Sequence, residues 1–112
     1  MSEISLEQFA ATAPGAATVI DVRQPREYVD GHVSGSILMP MTELSSRLAE
    51  LDRTRPVHVI CASGNRSGAL ADFLAGLGFE ALSVAGGVTA WAASGRPLVT
   101  RVRPTAPAPA AS

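Results

Sequence analysis

The sequence predicts a single-domain α/β protein: a mostly parallel sheet with helices on both faces, three layers in all. Three observations carry that expectation. Short β-branched apolar runs alternate with stretches of helical spacing. Clusters of Gly, Pro, Asp and Ser punctuate the chain between them. The only cysteine, Cys61, stands where an apolar run stops and a helical pattern starts. That is the carboxyl end of a strand, the place where open α/β sheets bind ligands. A length of 112 residues suffices for one modest core. A composition 46% hydrophobic and 17% charged fits a compact fold rather than a disordered chain.

Ile4-Ser5 reads as a very short strand. Ser5 then opens S-L-E-Q, a capping-box pattern, and Leu6, Phe9 and Ala10 give the helix that follows an apolar face until Pro14-Gly15. Thr18-Val19-Ile20 is a compact apolar run, read as a buried strand closing on Asp21-Val22-Arg23. Pro25 starts a helical turn through Tyr28, and Gly31 to Gly35 is loop. Ser36 to Met39 is a short strand stopped by Pro40. Thr42 is expected to cap a helix carrying Leu44, Leu48 and Leu51 on one side. After a polar turn from Asp52 to Pro56 comes the strand Val57 to Ile60, ending at Cys61. Arg66 and Ser67 open a helix whose buried face is expected to hold Leu70, Phe73, Leu74 and Leu77, with its end near Gly76 and Gly78. Ala81 to Val84 is a further strand. Gly86-Gly87 precede a last helix through Val88, Ala90, Trp91 and Ala92, closed by Gly95 and Pro97. The domain therefore spans residues 1–100, and the Pro/Ala-rich residues 101–112 read as an extended, mobile tail.

The net charge of −1 gives no reason to expect nucleic acid or an anionic membrane as partner. All nine basic residues are Arg, which genome composition explains. A lone cysteine excludes an intrachain disulfide and a multi-cysteine zinc site, and nothing points to a metal or an organic cofactor. The acidic amino terminus carries no secretory signal pattern, and no segment approaches the length of a membrane span. A reducing cytoplasm is the expected compartment.

The stretch Cys61 to Ser67, C-A-S-G-N-R-S, is built for an anion. Free thiols titrate near ~8.5, and a helix amino terminus or a neighbouring Arg lowers that value. Ala62, Ser63, Gly64 and Asn65 are small or turn-prone, so successive N–H groups can curl around a sulfur. Gly64 permits a positive φ, Arg66 can grip an oxyanion with paired donors, and the Ser63 and Ser67 hydroxyls can add hydrogen bonds. The bland alternative is a buried cysteine acting as a small hydrophobe, which is the commoner fate of a free thiol. A nucleotide loop is disfavoured, because G-N-R-S-G lacks the Lys and spacing of a P-loop.

At these residues the chain resembles the single-domain rhodaneses, a family of sulfurtransferases. The matching stretches are D-V-R-Q-P-R-E-Y (Asp21 to Tyr28), G-H-V-S-G-S (Gly31 to Ser36, with Pro40 after it), C-A-S-G-N-R-S, G-F at Gly78-Phe79, and G-G-V-T-A-W with G-R-P (Gly86 to Pro97). The resemblance implies a rhodanese-like fold with five strands in its sheet. It also implies that Cys61 takes a sulfane sulfur from a donor such as thiosulfate, becomes a persulfide, and passes the sulfur to cyanide or to a small or protein thiol. Ala62, Ser63, Gly64, Asn65, Arg66 and Ser67 would then cradle the persulfide and the donor. Asp21, Arg23 and Glu27 fall in the first motif, either as a frame beside the loop or, more simply, as a local ion pair fixing a turn. His32 is tempting as a base, yet a pre-formed thiolate needs none, and the family pattern places that His in a structural turn. His58, Trp91 and Phe79 read as packing residues. Ser34 and Ser36 depart from the family's usual Pro and Ala. Phosphatases and arsenate reductases of this fold place five residues between Cys and Arg, whereas Cys61 and Arg66 have four. A rhodanese-fold module that binds a partner or stores sulfur, without turnover, is the remaining alternative.

Overall fold

The computed structural model describes residues 2–100. Five strands form one sheet: β1 (Glu3–Ile4), β2 (Thr18–Asp21), β3 (Ile37–Leu38), β4 (Val57–Ile60) and β5 (Ala81–Val84). Their order is β1-β5-β4-β2-β3, and every pairing is parallel. The expected α/β architecture is present. The central strand, β4, is buried along its whole length, as a strand covered on both faces must be.

Side-chain alternation along the strands divides the core in two. Ile20, Val22, Val57, Val59 and Ala81 pack with Ala71 and Leu74 of helix α3 (Asn65–Gly76) and with Leu44 and Leu51. On the opposite face Ile60 and Val84 pack with Phe9 of α1 (Leu6–Ala11) and Val88 of α4 (Gly87–Ala93), with Val33 closing the edge. The capping box at Ser5 forms as expected: the Gln8 N–H donates to Ser5 Oγ at 3.1 Å, and the Ser5 N–H donates to Gln8 Oε1 at 3.4 Å. Helix α2 runs from Pro25 to Asp30, two residues beyond its expected end at Tyr28.

One expectation fails and another is half met. No α-helix follows Thr42. The segment forms two separate 3₁₀ turns, Leu44–Ser46 and Leu48–Glu50, with Glu43 rather than Thr42 at the first cap. Arg47 holds the break, bonding the Leu38 carbonyl at 3.1 Å and reaching both Glu43 and Glu50. The tighter turns still deliver Leu44 and Leu51 to the core, so the leucine spacing reports burial but not helix type. In α3 the expected buried face is half met: Leu74 is buried with Ser67, Gly68 and Ala71, and Leu70 packs against the core, while Phe73 and the cap residue Leu77 are about two-fifths exposed. The sheet lies close enough to α3 that small residues meet it. The expected tail, residues 101–112, lies outside the described residues.

Candidate active site

The end of β4 fixes where Cys61 can be. Its carbonyl accepts from the Val88 N–H at 2.9 Å, and the next carbonyl, of Ala62, accepts from the Thr89 N–H at 2.9 Å. The first turn of α4 thus clamps the loop's entry strand. Gly87 makes this possible: a Cβ there would stand 2.3 Å from the Cys61 carbonyl oxygen, and its φ is +61°. Gly64, at φ +98°, then reverses the chain into α3 and serves as its cap.

The turn points donors at the sulfur. The Gly64 N–H reaches Cys61 Sγ at 3.0 Å and the Ser67 N–H at 3.4 Å. Ser67 Oγ lies 3.4 Å from the same sulfur. Ser67 also approaches the Gly64 carbonyl at 3.2 Å and Ser83 Oγ at 2.6 Å. Cys61 is only 1% exposed and counts among the core residues of the α3 face. Burial pushes its thiol up. The Ser67 hydroxyl and the N–H groups of Ser67, Gly64 and Ser63 outweigh that, so the thiol ionises below the ordinary cysteine range. Above the sulfur, Ser63 and Asn65 are exposed, and Ala62, Gly64 and Arg66 are partly so.

Arg66 sits at this rim. Its guanidinium stands 3.8 Å from Glu27 Oε2, and both side chains are roughly one-third exposed. It does not bond the sulfur directly. Asp21 ends β2 beside β4, in register with Ile60. Its carboxylate accepts from the Arg23 backbone N–H at 3.1 Å, from Nε at 2.9 Å and 3.2 Å, and from Nη2 at 2.8 Å, and Arg23 also donates to the Gly31 carbonyl at 2.7 Å. That buried pair ties the strand end to the far end of α2. His32 stacks on Tyr28 at 3.6 Å, its Nδ1 lies 2.7 Å from the Tyr28 carbonyl, and its backbone bridges Val99. Its contacts are therefore with α2 and the chain's return, not with Cys61.

The sequence alone does not single out Ser83. Nothing marked it except a hydroxyl in the otherwise apolar run A-L-S-V. The contact between Glu27 and Arg66 was equally hidden, since 39 positions separate the two residues in sequence.

Comparison with known proteins agrees with this geometry. The family model described as a rhodanese-like domain matches residues 5–94. The chain is 36% identical over 92 residues to the thiosulfate sulfurtransferase GlpE of Ectopseudomonas mendocina (strain ymp), covering 81% of this chain and 84% of that protein. It is 34% identical over 89 residues to the protein of the same name from Pseudomonas entomophila (strain L48), covering 79% and 82%. Among solved structures, a rhodanese-related protein from Thermoplasma volcanium superposes with a TM-score of 0.80 at 36% identity, covering 90% of this chain and all of the other. The five-stranded parallel sheet, the cysteine loop at its carboxyl edge and these matches lead to one conclusion: the chain belongs to the rhodanese-like domain family.

Proposed function

We propose that the protein is a sulfurtransferase that carries sulfane sulfur on Cys61. The observation that supports this most is the convergence of the Gly64 and Ser67 N–H groups and the Ser67 hydroxyl on one sulfur that is otherwise buried. Donors of that kind stabilise a thiolate, and they equally stabilise the anion of a persulfide.

The cycle has two displacements. The Cys61 thiolate attacks the outer sulfur of thiosulfate. A new S–S bond forms, the donor's S–S bond breaks, and sulfite leaves with the bonding pair. An acceptor, cyanide or the thiolate of a small molecule or protein, then attacks the outer sulfur of the persulfide. The Cys61–sulfur bond breaks, its electron pair stays on Cys61, and the thiolate returns. No general base is needed once the thiol is ionised, which leaves His32 a structural part. Arg66 is suited to the donor's oxyanion, exchanging its loose contact with Glu27 for paired hydrogen bonds. Asp21 and Arg23 hold the neighbouring strand end in place. The chain has no second cysteine, so the sulfur must leave to an outside acceptor. A free, ionisable thiol suits a reducing cytoplasm, and no helix among the described residues is long and apolar enough to cross a membrane.

Cys61→Ser tests the assignment. The variant is expected to keep the wild-type unfolding midpoint and to lose thiosulfate-to-cyanide transfer altogether. Transfer at the wild-type rate would refute the role of Cys61.

A further inference from the structure

We infer that Ser83, on the strand beside the cysteine loop, is a positioning residue that donates to the Ser67 hydroxyl and so keeps the Ser67 proton available to the Cys61 sulfur. The inference rests on Cys61 being the working nucleophile, but its geometry stands apart from any donor. Ser83 is fully buried on β5, and so is Ser67 on α3. Their oxygens are 2.6 Å apart.

The direction follows from counting protons. A serine hydroxyl has one proton and two lone pairs. Among the described residues, Ser83 Oγ has Ser67 Oγ as its one hydrogen-bond partner. A buried O–H without an acceptor is costly, so the Ser83 proton goes to Ser67. Ser67 then cannot donate back. Its own proton must go to the Gly64 carbonyl or to the sulfur, at 3.2 and 3.4 Å. With a neutral thiol, the Ser67 proton faces Gly64 and the S–H faces Ser67. With a thiolate, one rotation of the Ser67 hydroxyl brings its proton onto the sulfur. Ser83 is the fixed end of the chain in both states, and its donation polarises Ser67 toward being a stronger donor.

Charged groups around the loop do not blur the test. Arg66 of α3 and Glu27 of α2 face each other at the rim. Asp21 and Arg23 are paired at the end of β2. On β4, His58 points to the opposite face, toward Phe9. Neither β5 nor α4 contains an ionisable residue. Ser83→Ala therefore removes a hydroxyl and leaves every charge in place.

The measurement is the rate of Cys61 alkylation by iodoacetamide against pH, with the thermal midpoint as a control for folding. For Ser83→Ala we expect the titration midpoint to rise by a few tenths of a unit. Below the midpoint alkylation should slow about two- to threefold, with the alkaline plateau unchanged. Ser67→Ala should shift further, and adding Ser83→Ala to it should change nothing more. A Ser83→Ala profile that superposes on wild type would overturn the inference. So would an undiminished Ser83→Ala shift in the Ser67→Ala background. Intact mass after thiosulfate treatment separates the two readings. A shift without sulfur uptake by the wild type sustains the hydroxyl chain and sinks the carrier role. Sulfur uptake without a shift does the reverse.

Discussion

A thiol with 1% exposure ought to resist losing its proton, and at Cys61 the balance goes the other way. The reason is local. Hydrogen bonds to an ionised group are worth about 1.5–3 kcal/mol each, so the four converging donors outweigh desolvation. Arg66 contributes little to that balance, because its charge rests against Glu27 at the rim. Its effect should appear on the donor instead. Arg66→Ala is expected to raise the KM for thiosulfate about three- to tenfold, with kcat nearly unchanged, since a cation one-third exposed is partly screened. Steady-state kinetics over donor concentration checks this; normal saturation would remove Arg66 from donor binding.

At the scale of elements, the loop is held from two sides, by the turn into α3 and by the first turn of α4. The second clamp depends on Gly87. Gly87→Ala would drive a methyl into the Cys61 and Ala62 carbonyls and force a positive φ on an L-residue. A loss of about 2–4 kcal/mol in stability is expected, together with a large loss of transfer. Urea unfolding and a transfer assay read both; wild-type stability would mean that the clamp is not rigid. The legibility of the elements follows the same physics. The box at Ser5 was readable because its two hydrogen bonds are local, three residues apart. Gly64 was readable because glycine alone adopts a positive φ without strain. The segment after Thr42 was misread because leucine spacing does not distinguish an α-helix from 3₁₀ turns. The tertiary bond from Arg47 to the Leu38 carbonyl decides it. In α3, Phe73 and Leu77 fit the helical period but face outward, since the sheet accepts Ala71 and Leu74 at close range. Ser83 was silent because its meaning depends on a contact sixteen residues away.

Over the whole molecule, two cores share one sheet, and the thiol belongs to the α3 side. On the other side His58 is buried against Phe9, and its Nδ1 has no partner among the described residues. Burial lowers its pKa below the ordinary value of 6.5, with Glu80 opposing weakly. The unfolded chain therefore takes up a proton first. Stability from the neutral imidazole is complete above the unfolded value and falls as pH drops through the folded one. His58→Leu should be neutral or stabilising by about 1 kcal/mol at pH 7, and should flatten the loss of stability between about pH 7 and 5. Urea titrations at the two pH values read the slope; an unchanged slope would assign the acid sensitivity to other groups.

The function of the protein depends on whether this anion-holding loop carries sulfur. Intact-protein mass after thiosulfate treatment, followed by a reductant, reads that directly. We expect a gain of one sulfur atom, confined to the peptide containing Cys61 and removed by the reductant. A fully folded protein that takes up no sulfur under these conditions would contradict it and leave the fold as a binding module.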